Sequence, residues 1–135
     1  MKMINYSITF HTEKLKECVD FYLKYFGAKV TFDAGWYVTI RLESNEEAPL
    51  FLSFQDSNNE SVQQNFAGGV TLNLMVEDVD ACYHLIKPAG LPLIEEITDH
   101  EWGDRAFSLY DPIGNVLYIY SERELDEKYK SAVKE

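Results

Sequence analysis

The chain has 135 residues, 46% of them hydrophobic and 14% aromatic, which is ample for one compact domain or two packed halves and too apolar for a disordered segment. A formal net charge of −11 weighs against nucleic acid or an anionic membrane surface as partner and favours cations, although solubility alone accounts for much of such an excess. No apolar run approaches the roughly 20 residues that span a bilayer, and the first seven residues lack the apolar core of a signal segment, so a cytoplasmic protein is expected.

From Ile4 to Phe10 apolar and polar residues alternate, predicting a strand. Thr12 is the expected N-cap of a helix whose apolar positions Leu15, Cys18, Val19, Tyr22 and Phe26 end at Gly27. Strands over Lys29 to Phe32, Trp36 to Leu42 and Leu50 to Phe54 complete a βαβββ module at about residue 56. The polar stretch 57–69, ending in Gly68-Gly69, is the expected connection, with Val62 and Phe66 on one short helical turn. The second module, 70–121, repeats the order. Its strand is Val70 to Val76, its helix is capped by Asp78 and carries Val79, Cys82, Tyr83 and Ile86, and Gly90 plays the part of Gly27.

Three further strands, Leu93 to Ile97, Arg105 to Tyr110 and Val116 to Tyr120, complete it. The charged tail 122–135 carries Leu125, Tyr129, Ala132 and Val133 in a narrow helical stripe, suited to a cleft rim or a partner. Cys18 and Cys82 fall on the helical stripes and read as small buried hydrophobes, with neither disulfide nor metal expected. Between the last two strands, Pro112 presets φ while Gly114 and Asn115 tolerate positive φ, so Asp-Pro-Ile-Gly-Asn reads as a hairpin turn.

That hairpin, together with Val70 to Leu93, resembles the second half of the glyoxalase, bleomycin-resistance and extradiol-dioxygenase superfamily, also called vicinal oxygen chelate. The shared pattern is a strand, the helix start Asp78-Val79-Asp80-Ala81, a helix ending in Ala89-Gly90, a strand, and then Trp102-Gly103-x-Arg105-x-Phe107-x-x-x-Asp111-Pro112-x-Gly114-Asn115. The resemblance extends over nearly the whole chain and is strongest from Val70 to Tyr120. It implies an α+β fold in which two βαβββ modules form a curved mixed sheet of about eight strands around a cleft, with helices outside. A homodimer is implied as well.

Metal-dependent members of the superfamily hold an ion with His, Gln or Glu side chains from the first and last strands of each module. Alignment on Phe21-Tyr22, the end of the fourth strand, Val79-Asp80-Ala81 and Asn115-Val116-Leu117 places Ser7, Ser53, Thr71 and Tyr118 in those four slots. Neutral hydroxyls are weak donors to a divalent ion, and a one-residue shift of register supplies no better set. No metal and no other cofactor is therefore expected.

Strand alternation puts Asn5, Ser7 and Thr9 on one face, as it does Phe51 with Ser53, Thr71 with Asn73 and Met75, and Val116 with Tyr118 and Tyr120. Trp36 and Trp102 stand at strand starts or loop ends, where an indole either walls a pocket or seals the core. Arg105 either binds an anionic group or pairs with Asp104 or Asp111. His11 and His84 read as solvated. His100, with Glu96 and Glu101 close in sequence, reads either as a proton acceptor at the cleft mouth or as an exposed loop residue.

The leading expectation is a metal-independent protein that sequesters a flat aromatic or cationic small molecule. Its ligand-binding residues would be Ser7, Trp36, Phe51, Ser53, Thr71, Asn73, Trp102, Arg105 and Tyr118. One alternative is a lyase, isomerase or dioxygenase-type enzyme of the same superfamily, with a displaced metal site or acid–base chemistry by Tyr118, His100 or Glu96. A third is a structural or regulatory module whose cleft is filled by its own side chains or by the tail, with Tyr129 docked there.

Overall fold

The computed structural model describes residues 1–2, 7–43, 49–58 and 70–134. The expected strand positions Ile4, Asn5 and Tyr6, together with Val62, Phe66, Gly68 and Gly69 of the connection, lie outside the described residues. The chain divides into two compact units, Met1–Gly68 and Gly69–Glu135.

In the first unit β1 (Ile8–Thr12) leads to α1 (Leu15–Phe26), followed by β2 (Lys29–Asp33), β3 (Tyr37–Leu42) and β4 (Leu50–Asp56). The sheet order is β1-β4-β3-β2, with β1 parallel to β4 and the other neighbours antiparallel. The second unit repeats this with β5 (Thr71–Met75), α2 (Val79–Ile86), β6 (Leu93–His100), β7 (Asp104–Tyr110) and β8 (Val116–Glu122) in the order β5-β8-β7-β6. The first and second strands of each module run the same way at opposite edges of the sheet, so a tight turn cannot join them and the crossover helix does. The molecule is α+β, built from two βαβββ modules.

Each sheet buries one face under its helix. In the first module Phe10, Val38, Ile40, Leu52 and Phe54 are buried, as are Cys18, Phe21 and Tyr22 of α1. The Tyr22 and Phe54 rings lie 5.8 Å apart. In the second, Leu72, Phe107, Leu109, Leu117 and Ile119 are buried, and Phe107 meets Tyr83 of α2 edge-on at 5.3 Å. Each large side chain withdrawn from water in this way contributes about 1.5–3 kcal/mol. The opposite faces carry the polar members of the same alternation, as period two requires.

Local signals explain most of the boundaries. Asp78 caps α2 as expected, accepting from the Ala81 N–H at 3.1 Å. Ser121 accepts from the Val79 N–H at 3.0 Å, tying the start of the helix to β8. Thr12 does not cap α1. Its hydroxyl accepts from the Lys14 N–H at 2.9 Å in a two-residue turn, and the helix begins at Leu15 without a side-chain cap. The second helix ends at Ile86, before Gly90, because Pro88 has no N–H to continue it; a 3-10 turn, Lys87–Ala89, follows.

The Asp111 carboxylate organises the β7–β8 turn, accepting from the N–H groups of Ile113 (3.0 Å) and Asn115 (2.8 Å) and from the Asn115 side chain (2.7 Å). Of the two residues that tolerate a positive φ, Gly114 takes one (85°) and Asn115 does not. β6 runs on to His100, which is thus a strand residue rather than a loop one. The tail forms a 3-10 helix, Glu127–Ala132, in place of the expected helical stripe.

Candidate functional site

The second module gathers an interlocked polar and aromatic cluster on the sheet face opposite α2. On β7 the apolar residues Phe107 and Leu109 point to the helix, so Asp104, Ala106 and Ser108 point the other way. Their cross-strand partners on β8, Glu122, Tyr120 and Tyr118, share that face. On β6, His100 stands opposite Asp104. Uninterrupted alternation from His100 would bring Glu96 to this face and turn Glu95 away. The β6–β7 register instead slips between Leu93 and Glu95 and again between Glu95 and Thr98, setting Glu95 opposite Ser108. Glu96 goes to the helix side, bonded to Tyr83 and Lys87. The carboxylate that reaches His100 is therefore Glu95, not the expected Glu96.

The His100 side chain is only 9% exposed. Its Nδ1 lies 2.7 Å from Asp104 Oδ1 and its Nε2 lies 2.6 Å from Glu95 Oε1. Carboxylates accept, and a proton shared between imidazole and carboxylate resides on the imidazole, the stronger base. With both carboxylates ionised, both ring nitrogens act as donors, the geometry of an imidazolium. Burial pulls its pKa down, but the bonds to Asp104 and Glu95 and their charges outweigh burial, leaving it above the ordinary value.

Asp104, 7% exposed, also accepts from the Tyr118 hydroxyl at 2.7 Å and from the Trp102 indole N–H at 3.1 Å. Burial, with the Asp104 carboxylate beside it, pushes the Tyr118 phenol up to about 12, so it remains a hydrogen-bond donor at neutral pH. The Trp102 indole stacks on the His100 ring at 4.2 Å and 10°, yet stays 50% exposed. Tyr120 follows, 5.8 Å from the Tyr118 ring.

The turn that carries Trp102 is fastened by the tail. Arg123 N–H donates to Gly103 O at 2.7 Å, Asp126 N–H donates to Glu101 O at 3.0 Å, and Lys128 pairs with Glu101. Gly103 sits at φ 98°, and a Cβ there would come within 3.2 Å of Arg123 O and Leu125 Cδ1. Leu125, not Tyr129, makes this contact.

Of the residues singled out from sequence, Trp102 and Tyr118 are members of the cluster. Asn73 lies beside Tyr118 in the β5–β8 register, and Thr71 two positions earlier pairs with Val116. Arg105 is not gathered there: alternation turns it to the α2 side, where its guanidinium grips Asp80 (2.9 and 3.0 Å) and reaches Asp99 (3.2 Å). Neither Asp104 nor Asp111, the partners expected for it, is engaged by it.

The remaining four belong to the first module. Ser53 is 2% exposed and shares a 2.8 Å hydroxyl bond with Thr39; Thr9 does the same with Tyr37 at 3.0 Å. Phe51, two residues from Ser53 on β4, is half-buried opposite Arg41. Trp36 is 48% exposed against Tyr37 (5.8 Å), and Ser7 is exposed just ahead of β1. Among the described residues no group of three or more His, Cys, Asp or Glu side chains is placed to hold a metal ion. Glu95, His100 and Asp104 bond to one another through protons and do not converge on a common point.

Reasoning from sequence missed Asp104 and Glu95. The first was legible, because the alternation that buries Phe107 and Leu109 places Asp104 beside Tyr118. The second was not, since the register slip between Glu95 and Thr98 inverts the face of Glu95 relative to His100.

The glyoxalase-like domain family matches residues 4–124. The chain belongs to that family. No curated protein matches it. Among solved structures, a glyoxalase/bleomycin resistance protein/dioxygenase from Nocardioides superposes with a TM-score of 0.72 at 15% identity, covering 92% of this chain and 87% of that one. TioX from Micromonospora sp. ML1 gives 0.67 at 16% identity, with 87% and 98% covered. Lactoylglutathione lyase from Agrobacterium tumefaciens gives 0.66 at 16%, with 90% and 96% covered. At these identities the likeness concerns the glyoxalase fold alone.

Proposed function

We propose that this glyoxalase-like protein binds a small molecule without a metal ion, and that the acidic, aromatic face of its second module receives a flat, positively charged compound. The observation that carries the reading is Trp102: a large indole stacked on His100 and bonded to Asp104, in a turn that the tail fastens, half of it in solvent, with Glu95 on the far nitrogen of His100. An aromatic face flanked by negative charge attracts cations by both the ring quadrupole and the field.

The donor set at the slots that hold metal in other members of the superfamily speaks for the same reading. Ser53 is committed to Thr39 and Tyr118 to Asp104, Ser7 and Thr71 offer single neutral hydroxyls, and such donors do not compete with water for a divalent ion. Elemental analysis and a thermal-shift screen of nickel, zinc, manganese and iron(II) beside flat cations test this. A ligand at 100 times its Kd stabilises the native state by about 2.7 kcal/mol, a readable shift. Stabilisation by an organic cation alone supports the reading; one tightly held equivalent of metal overturns it.

One observation favours a second reading, an acid–base enzyme: Asp104 fixes the His100 ring through Nδ1, the arrangement in which an imidazole transfers protons at Nε2. Turnover abolished by His100→Gln with ligand binding retained would move the assignment there. We further propose a cytoplasmic homodimer; light scattering at twice the chain mass supports the dimer and the monomer mass refutes it.

A further inference from the structure

The charges in the cluster do not balance among the groups that face one another. Glu95 on β6 and Asp104 on β7 contribute two negative charges, the His100 imidazolium one positive charge, and Tyr118 on β8 a neutral phenol. Glu101 is turned to Lys128 of the tail, and Glu122, opposite Asp104, is exposed. Thus one planar cation, the protein's own, already lies stacked on Trp102 at 4.2 Å and bonded in its plane to two carboxylates. The arrangement is the one a flat organic cation seeks: an aromatic face with anionic oxygens at its edge.

We infer that the His100 imidazolium is an exchangeable internal counter-ion: a flat organic cation binding at Trp102 takes over its role, and close to one proton leaves the ring for each ligand bound. This rests on the binding function proposed above. The physical reason is that two like charges cannot share so small a site cheaply, whereas a proton is free to leave to solvent. Which proton leaves follows from the geometry. Asp104 is buried and bonded to three donors, so Nδ1–H stays with it. The Glu95 side chain is 47% exposed and loses only the Nε2–H bond, which frees its carboxylate to face the ligand. The N–H bond at Nε2 breaks, its electron pair stays on the ring, buffer accepts the proton, and the total charge of the complex is unchanged.

Linkage fixes the sign. A ligand that displaces one proton binds up to about tenfold more tightly per pH unit for as long as the free protein holds His100 protonated, and binding levels off above that range.

The test uses the full chain and N-methylacridinium, a flat cation whose charge does not titrate. Calorimetry at pH 7 in phosphate and in Tris, whose ionisation heats differ, should return close to one proton released per ligand. Uncharged acridine at pH 8 serves as control and should release none. In parallel, 15N spectra of the three histidines, with His100 assigned from a His100→Gln spectrum, should show both ring nitrogens protonated in the free protein. On saturation, one of them, Nε2, should be unprotonated. Binding with equal heats in the two buffers, or with both nitrogens still protonated, overturns the exchange and leaves the binding function standing. A free protein whose ring carries one proton at pH 7 overturns it as well. Failure of the wild-type chain to bind N-methylacridinium at any pH overturns both.

Discussion

His100 shows how two short side-chain bonds change the meaning of a residue. In sequence it sits in an acidic run and reads first as an exposed loop residue; in the fold it is 9% exposed and held by carboxylates at both nitrogens. Because its pKa is raised on folding, the stabilisation from these pairs is fully present below the ordinary value of about 6.5 and is lost as pH rises through the raised value. Denaturant midpoints should therefore fall over that upward range, and more shallowly in Glu95→Gln; an equal slope in the variant would contradict the pairing. Asp104→Asn should bring the imidazole titration, followed by NMR, down towards the ordinary value. Tyr118→Phe removes one donor from Asp104 and should cost about 1 kcal/mol in chemical denaturation.

At the scale of elements, the cluster owes its geometry to features that carry no chemistry. The register slip between Glu95 and Thr98 in β6 delivers Glu95, the alternation of β7 separates Asp104 from Arg105, and the tail pins the Trp102 turn through Gly103. Gly103→Ala forces a Cβ against Arg123 O at a positive φ, so it should destabilise by about 1–3 kcal/mol and detach the tail. In a Trp36→Phe background, the remaining Trp102 emission should move to longer wavelength as the indole loses its support. Unchanged emission would mean that the tail does not hold the turn. The element order was legible because helical stripes, Gly27 and the Asp111 turn are local signals. The slips were not, since they answer to packing across the sheet.

For the whole molecule, the repeat of one topology in two units means that each carries its own core, while among the described residues the acidic, aromatic cluster belongs to the second. Phe54→Ala, which removes a fully buried ring from the first module, should cost about 3–5 kcal/mol. The net charge of −11 acts on the molecule as a whole. If the proposed ligand is cationic, raising salt from 0.01 M to 0.15 M, which shortens screening from about 30 to about 8 Å, should weaken N-methylacridinium binding without altering proton release. Affinity indifferent to salt would point to an apolar ligand instead.

The sequence by itself determined the two βαβββ modules, the α2 cap and the β7–β8 turn, because each depends on residues close along the chain or on a period of two or 3.6. Only the tertiary structure decided that His100 is bracketed by two carboxylates, that Glu95 and not Glu96 meets it, and that Arg105 serves the helix side. Those outcomes depend on which strands pair and in what register, and a single inserted residue in β6 is enough to exchange the two faces.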